Sequence, residues 1–383
     1  MNWSQLPAFR SPESMVEALQ PSEPIYCVRY QNIRKIAKRF LSGFSGEVLY
    51  AVKCNAEEHV LGTLFNSGIR HFDVASLTEI RLIKTLFEGA HVYFMHPIKS
   101  RKAIRSAYYE YGVRHFSVDH VSELNKITES LTDRAGIVIV IRIAVENLGA
   151  KYELSSKFGA DIESALDLIK KVTEQKFSYG VAFHVGSQCT NPEGYKHGLN
   201  RVGEVLSQVS KRPVCIDIGG GFPVDYVNSK GPPLETYFAA IQDGVAGLRL
   251  SEPCQLLCEP GRALAADGES IVVQVHLRKG DSIYLNDGLY GSMIEEKYGL
   301  RLPIRMVKSR TFSNTLRSYV AYGPTCDALD VYPARLELPE DLQEGDWIEF
   351  GLIGAYSAAC RTQFNGFYPN EFVSIQNDYG MLD

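Results

Sequence analysis

The sequence lacks several features that mark specialised classes of protein. Its formal net charge at pH 7 is only −5 and no stretch is rich in basic residues, so nucleic acid is not an expected partner. No apolar run is long enough to cross a membrane, and residues 1–10 have neither the apolar core nor the cleavage pattern of a secretory signal. With 45% hydrophobic and 22% charged residues, a globular protein of the cytoplasm is expected.

The eight cysteines lack the arrangement of a disulfide framework or of a zinc site. They are scattered along the chain, mostly within apolar segments, and are expected to be reduced thiols. Cys254 and Cys258 have a spacing that suits a metal, but no second pair of cysteines or histidines lies nearby in the sequence. No metal site is predicted.

Short apolar segments alternate with helical patterns from residue 48 to residue 259, at a period of about 25 residues. The segments are apolar throughout rather than alternating, as in parallel strands that are buried on both faces. Eight such units predict an α/β fold with a TIM-like (β/α)₈ barrel, and the missing glycine-rich dinucleotide turn disfavours an open doubly wound sheet. The predicted strands are 48–52, 71–76, 91–95, 115–119, 136–145, 179–187, 214–218 and 256–259.

After Arg262 the pattern changes to strands separated by turns, which predicts a C-terminal all-β domain of sandwich or barrel type. Residues 24–30 are also strand-like and are assigned to this domain, while residues 1–23 are interpreted as a lead-in or arm. The predicted domains are therefore a barrel at 30–262 and a β domain formed by 1–29 with 263–383. Its strand candidates are 270–277, 282–285, 318–322, 347–349 and 372–375.

Functional residues of such barrels lie where strands end and loops begin. Lys53 follows a buried strand, where an unpaired ammonium is costly, so it either forms an ion pair or is used covalently as a Schiff base. His184 also follows a strand, with a role in the core as its alternative. Asp73 and Arg142 stand at two further strand ends.

Two late loops indicate a phosphate site. Gly219, Gly220 and Gly221 directly follow a strand and free backbone N–H groups for an anion, with a plain tight turn as the alternative. Glu259 and Arg262 flank a Pro-Gly turn; they either pair, or the acid faces a cationic ring nitrogen while the guanidinium binds phosphate. A lysine, an anion nest, an arginine and a carboxylate together are what pyridoxal phosphate requires.

Seven short motifs, in this order, resemble those of the fold type III (alanine-racemase-fold) amino-acid decarboxylases that use pyridoxal 5'-phosphate, and of their ornithine/lysine decarboxylase group in particular. The resemblance spans roughly residues 24–375. It implies a small amino-acid substrate and a homodimer with active sites shared between the subunits. The motifs are 50–55, 72–76, 184–187, 219–223, 259–262, 323–327 and 354–356.

The resemblance also implies a role for each site residue. Lys53 is the Schiff-base lysine, His184 stacks on the cofactor ring and Glu259 pairs with the pyridine nitrogen. Asp73 and Arg142 position the ring and the lysine. From the partner subunit, Cys326 donates the proton after decarboxylation and Asp327 holds the distal amine of the substrate; by the residues alone, Cys326 is equally well an inert exposed thiol. The phosphate is served by Ser187, Gly221, Arg262 and Tyr356, and Gly220 and Gly261 are assigned to the cofactor as well.

One loop departs from the family pattern. The ornithine enzymes of animals and protozoa carry a Tyr-Asp pair there, whose aspartate binds the distal amine, whereas Tyr298 is followed here by Gly299. Glu295 or Glu296 is expected to replace that aspartate, and Tyr290 is assigned to the substrate as well. Ornithine, lysine, arginine and carboxy-polyamines stay open as substrates of polyamine-type metabolism, and the Cys-Asp pair at 326–327 disfavours diaminopimelate.

Two other functions are weighed against decarboxylation. A non-catalytic regulator of the same fold has little reason to keep Lys53, His184, Glu259, Arg262 and Cys326 together. A racemase needs a second base opposite Lys53, and none is evident at the Cys326 position.

Overall fold

The computed structural model describes residues 6–250 and 254–376. Its first elements are folded onto the C-terminal sheet, so the prediction of a lead-in or arm is wrong for the described part of residues 1–23. Strand β1 (Ala8–Phe9) pairs with strand β19 (Glu371–Ile375), and helix α1 (Pro12–Leu19) precedes strand β2 (Ile25–Val28). Helix α1 buries only Pro12, Met15 and Val16, an apolar stripe too short to give a clear helical period.

Eight parallel strands close into a barrel, which confirms the predicted fold class. Around the barrel the strand order is β11, β12, β3, β4, β5, β6, β7 and β9. Two further strands, β8 and β10, pair antiparallel with each other in the loops that follow β7 and β9. The strand predicted at 179–187 is shorter in the structure and ends at Ala182. Ser187 lies in the separate strand β10. The bounds are β3 Glu47–Ala51, β4 His71–Val74, β5 His91–Phe94, β6 His115–Val118, β7 Val138–Arg142, β8 Ala150–Tyr152, β9 Ser178–Ala182, β10 Ser187–Cys189, β11 Cys215–Asp217 and β12 Gln255–Cys258.

The helices alternate with the barrel strands as predicted, and side chains define where several of them begin. Ser76, Ser100 and Asp161 each accept a hydrogen bond from an N–H group in the first turn of the following helix. Among the described residues, no helix is both long and apolar enough to span a bilayer. The bounds are α2 Tyr30–Gly43, α3 Glu58–Asn66, α4 Leu77–Leu86, α5 Arg101–Tyr109, α6 Val121–Ser130, α7 Ile162–Glu174, α8 Glu193–Leu206, α9 Leu234–Gly247 and α10 Arg262–Ala265.

The C-terminal part of the chain forms a nine-stranded sheet together with β1 and β2, as expected for an all-β domain. Strand β2 lies between β13 and β19. The sequence patterns missed β1, β15 and β17, which are short and offer few alternating residues, and the exact domain boundaries stay a prediction. The remaining elements are β13 Glu269–Lys279, β14 Ser282–Leu285, α11 Ile294–Lys297, β15 Ile304–Met306, β16 Leu316–Tyr322, β17 Leu336–Pro339, β18 Trp347–Phe350 and β19 Glu371–Ile375.

A buried polar contact fixes the sheet to the barrel loop that carries Lys53. Glu269, the first residue of β13, accepts hydrogen bonds from His59 Nε2 at 2.8 Å and from Asn55 Nδ2 at 3.1 Å. Asn55 Nδ2 also donates to the carbonyl oxygen of Gly354 at 3.0 Å. Since these groups are buried, the loop after β3 is held at one position relative to the sheet.

Three histidines and Tyr93 form a cluster at the N-terminal end of the barrel, where β4, β5 and β6 begin. The rings of His71 and His91 are 4.8 Å apart, and His115 lies 4.5 Å from the ring of Tyr93. Burial, together with the neighbouring His71 and His91, lowers the pKa of His115 to about 4 from the usual 6.5. The folded protein therefore disfavours the protonated form of this imidazole.

This cluster predicts that the folded protein loses stability in weak acid. Below pH 6.5 the unfolded chain binds a proton at His115 more readily than the folded chain, so stability falls as the pH drops from 6.5 towards 4. At pH 5 this difference in proton binding at His115 lowers the free energy of unfolding by about 2 kcal/mol relative to its value at pH 7.5. We expect His115→Gln to reduce the decrease in the free energy of unfolding between pH 7.5 and pH 5, measured by urea denaturation. His276→Gln, at an exposed histidine, serves as the control, and an unchanged pH dependence in His115→Gln would contradict the prediction.

Candidate active site

One cavity lies at the C-terminal ends of the barrel strands, where functional residues of such barrels are expected. It encloses about 860 Å³ including its open mouth, which is within the usual range for sites that bind small molecules. All eleven residues that the sequence analysis assigned to the cofactor line it. They are Lys53, Asp73, Arg142, His184, Ser187, Gly220, Gly221, Glu259, Gly261, Arg262 and Tyr356.

Lys53 stands on a 3₁₀ turn (Val52–Cys54) directly after β3, and its amine projects into the cavity. Its Nζ donates a hydrogen bond to Asp73 Oδ2 at 2.7 Å, and the side chain is 43% exposed, so a small molecule can reach it. Burial lowers the pKa of this amine, but the charges of Asp73 and Glu259 outweigh burial and raise the pKa of Lys53 above its usual range. The ion pair expected from the sequence is present, and the amine is also accessible to a small molecule.

Close backbone contacts require the glycines after β11. A Cβ atom on Gly220 would lie 2.5 Å from the carbonyl oxygen of Glu259, and one on Gly221 would lie 2.5 Å from that of Gly186. Gly221 also has a φ of 101°, in the left-handed region. Within the described chain, the N–H groups of Gly220 and Gly221 have no hydrogen-bond partner. They are therefore available to an anion in the cavity.

Arg262, the first residue of α10, is buried at the same side of the cavity. Its guanidinium donates to Tyr226 Oη at 2.7 Å, to Ser187 Oγ at 3.3 Å and to the carboxylate of Glu295. It also lies over the ring of Tyr356, 4.9 Å from the ring centre. These contacts fix the orientation of a cation beside the free N–H groups of the glycine loop, an arrangement that suits a phosphate.

His184 follows β9, and its Nδ1 accepts a hydrogen bond from the N–H of Gly186 at 3.0 Å. Burial, with the positive charges of Arg142 and Lys53, lowers the pKa of His184 well below its usual value. The imidazole is therefore neutral near pH 7 and carries its proton on Nε2. A neutral flat ring in a cavity wall is suited to stacking on an aromatic ligand.

Glu259 follows β12 and completes the polar part of the cavity. Burial, with the nearby carboxylates of Asp217 and Asp73, raises the pKa of Glu259 well above its usual value. Asp217, the last residue of β11, is fully buried beside it. A carboxyl group that binds a proton this readily is suited to a basic ring nitrogen, which would take the proton and form a charged pair.

Cys326 and Asp327 lie in a different cavity of the same chain, on the β domain. Cys326 is exposed, and its N–H donates to Asn365 Oδ1 at 3.0 Å. Tyr290 donates its hydroxyl hydrogen to the carboxylate of Asp327, and this bond lowers the pKa of Asp327. Asp327 is thus a half-buried, charged carboxylate that this chain does not bring to its own Lys53 cavity.

The two glutamates expected to bind the substrate are placed elsewhere. Glu295 and Glu296 are buried in α11, and neither lines the Lys53 cavity. Glu295 is bound by Arg262, while Glu296 Oε1 accepts from the N–H of Leu302 at 2.8 Å. Because both carboxylates are already engaged inside the protein, the geometry argues against their expected role as ligands of a distal amine.

Several lining residues were missed by the sequence analysis. Met95, His96 and Pro97 directly follow β5, and Leu154 and Phe158 lie on the long loop after β7. The strand-end rule identifies the first three residues. Nothing in the sequence pattern places the other two residues or Tyr226, because their positions depend on how long loops fold back over the barrel.

Comparison with known proteins gives the same assignment. The family model of the pyridoxal-dependent decarboxylase pyridoxal-binding domain matches residues 30–266, and that of the C-terminal sheet domain of these enzymes matches residues 224–354. The free N–H groups of the glycine loop, the oriented Arg262 and the accessible Lys53 fit such a cofactor.

Three relatives illustrate the similarity. The lysine/ornithine decarboxylase of Selenomonas ruminantium is 31% identical over 349 residues, covering 87% of this chain and 84% of that protein. Antizyme inhibitor 2 of Xenopus laevis is 32% identical over 350 residues, covering 83% and 73%. The structure of the Vibrio vulnificus lysine/ornithine decarboxylase complexed with putrescine has a TM-score of 0.83 at 29% identity, covering 96% and 99%.

The matched family models cover most of the chain, and the residues that each domain contributes converge on one cavity. The chain belongs to the pyridoxal-dependent decarboxylases, and pyridoxal 5'-phosphate is its cofactor.

Proposed function

We propose that the protein removes the α-carboxylate of a basic L-amino acid as carbon dioxide and releases the corresponding amine, as part of polyamine-type metabolism in the cytoplasm. Ornithine and lysine are the first candidates, followed by arginine and carboxy-polyamines. The observation that carries the proposal is the convergence of eleven predicted cofactor residues on the one cavity that contains the Lys53 amine.

The residues of the cavity form three groups, each with its own role. Lys53 supplies the amine that holds the cofactor, and Asp73 accepts a hydrogen bond from it at 2.7 Å. The N–H groups of Gly220 and Gly221, with Arg262, bind the phosphate. Glu259 would pair with the pyridine nitrogen, and its carboxyl group can supply a proton there because burial beside Asp217 and Asp73 raises its pKa. When bound, the cofactor supplies the ring that accepts the electron pair left on Cα after carbon dioxide departs.

The proposed proton donor to Cα is Cys326 of a second copy of the chain. In one chain Cys326 and Asp327 line a cavity separate from that of Lys53, so an active site that uses them requires two subunits. Tyr290 keeps Asp327 ionised, and a charged carboxylate suits the distal ammonium of a basic amino acid. We therefore propose a homodimer with two shared active sites.

A regulator without catalytic activity is the second candidate, since one of the relatives is named an antizyme inhibitor. The accessible Lys53, its Asp73 partner and the free anion nest favour the enzyme, because none of them is needed for docking to another protein. A racemase is disfavoured because it needs a second base opposite Lys53, and the position assigned to the partner subunit holds the Cys326-Asp327 pair instead.

The first prediction concerns the covalent attachment. Purified protein incubated with pyridoxal 5'-phosphate should show an absorbance band at the edge of the visible range, and borohydride should leave the adduct on residue 53. Lys53→Ala should lose both signals, because Lys53 is the one lysine among the described residues that line the cavity. Lys157→Ala, at a lysine beside the lining residue Phe158, should retain both. Labelling of the wild-type protein elsewhere than at residue 53 would overturn the assignment.

The substrate is tested by release of carbon dioxide. L-Ornithine, L-lysine, L-arginine, meso-diaminopimelate and carboxynorspermidine are each incubated with the cofactor-loaded protein, and the amine product is identified by mass spectrometry. We expect release from at least one basic substrate and none from its D-isomer. Release from diaminopimelate alone would contradict the basic-substrate proposal, and cofactor binding without release from any compound would favour the regulator.

Mixing of two inactive variants tests the shared site. Lys53→Ala and Cys326→Ala damage different halves of each site, so a mixed dimer contains one intact site. Random exchange of subunits should then restore about a quarter of the wild-type activity. The activity is measured with the substrate identified above, and each variant alone provides the baseline. No recovery after confirmed subunit exchange would show that Lys53 and Cys326 of the same chain work together.

A further inference from the structure

Two carboxyl groups meet beneath the cofactor cavity, and only one of them lines it. Asp217 ends β11, Glu259 follows the neighbouring strand β12, and both side chains are buried. Asp217 has no exposed surface and does not line the cavity. The two residues are also joined through Gly219, whose N–H donates to Asp217 Oδ1 and whose carbonyl oxygen accepts from the N–H of Glu259, both at 2.8 Å.

The second oxygen of Asp217 is the unusual feature. Asp217 Oδ2 is buried and finds no hydrogen-bond donor in the described chain, although its neighbour is the carboxyl group of Glu259. A buried acceptor without a donor is costly, and two buried carboxylates side by side are more costly still. A single proton between the two groups removes both costs, because one carboxyl then donates to the other.

The charged groups around the pair do not supply that proton. Lys53 faces it from the turn after β3 and Arg142 from β7, while Asp73 faces it from β4 with a further negative charge. The amine of Lys53 donates to Asp73 rather than to either member of the pair. Burial raises the pKa of Asp217 to about 6 and that of Glu259 well above its usual value, which agrees with one retained proton near neutral pH.

We propose that Asp217 and Glu259 share one proton through Asp217 Oδ2, and that Asp217 is a positioning residue that orients Glu259 and keeps this proton beside the cofactor ring. The part that concerns the ring rests on the proposed function of the cavity. Glu259 passes the proton to the pyridine nitrogen that it faces: one O–H bond breaks, one N–H bond forms, and no electron is transferred to another group. Binding of the cofactor then requires no proton from water at this atom.

Proton counting tests the proposal. Cofactor-free protein is titrated with pyridoxal 5'-phosphate by calorimetry at pH 7.5 in buffers of different ionisation enthalpy, which gives the number of protons taken up on binding. Asp217→Asn keeps the acceptor for the N–H of Gly219 but removes the second carboxylate, so Glu259 ionises more readily. We expect Asp217→Asn to take up more protons than the wild type, with the difference approaching one, and equal uptake would overturn the proposal.

Asp119→Asn is the matched control. Asp119 follows β6 at the same end of the barrel and accepts from the N–H of Gly159. Its charge acts on Arg142, whereas the main charges on Glu259 are those of Asp217, Asp73, Lys53 and Arg142. Its proton uptake should equal that of the wild type. If the wild-type protein fails to bind the cofactor, the proposed function fails; if it binds and Asp217→Asn behaves as the wild type, only the shared proton fails.

An infrared measurement on the wild-type chain keeps the proposal falsifiable should Asp217→Asn not fold. In protein labelled with ¹³C, the shifted carbonyl band of a protonated carboxyl group is separated from the bands of the unlabelled cofactor. The shared proton predicts that one such band is present in the cofactor-free protein at pH 7.5 and disappears when pyridoxal 5'-phosphate binds. A difference spectrum without this loss would contradict the proposal.

Discussion

The structure depends on keeping one ammonium group accessible at the end of a buried strand. Lys53 follows β3 where the barrel is otherwise closely packed, and desolvation of an isolated ammonium there would cost several kcal/mol. Asp73 at the end of the neighbouring strand β4 offsets this cost with a hydrogen bond of 2.7 Å. Because strands β3 and β4 are paired in register at Ala51 and Asp73, the barrel itself sets the distance between the two charges.

The sheet domain helps to hold the loop that carries Lys53 in place. Glu269 and the carbonyl oxygen of Gly354 both bind Asn55, two residues after the lysine. The N–H of Tyr356 donates to the carbonyl oxygen of Cys54 at 2.9 Å, and the ring of Tyr356 lies over Arg262. The β domain therefore holds both the loop that carries the amine and the cation beside the anion nest, which explains why a barrel with this chemistry carries a second domain.

The sequence predicts the structural features that repeat along the chain. It misses those that depend on one particular tertiary contact. Eight apolar segments predict the barrel. The strand-end rule finds Lys53, Asp73, Arg142, His184 and Glu259 because each lies at the end of a barrel strand or just after it. Asp217 ends a strand too, but an aspartate before three glycines gives no indication that its second oxygen is buried against another acid. Helix α1 was missed for a different reason, since its apolar residues pack only against the sheet and form one short stripe.

The placement of Glu295 depends on a tertiary contact that the sequence pattern does not indicate. From the sequence, an acid in this loop replaces the missing aspartate beside Gly299. In the structure the short helix α11 buries it against Arg262, whose guanidinium also binds Tyr226 and Ser187. The positive charge of Arg262 is thereby largely compensated before any ligand arrives. Arg262 then offers a phosphate oriented hydrogen-bond donors rather than a net positive charge. The N–H groups of Gly220 and Gly221 must therefore supply much of the attraction. This role of the backbone N–H groups agrees with the close contacts that leave no room for a side chain at Gly220 or Gly221.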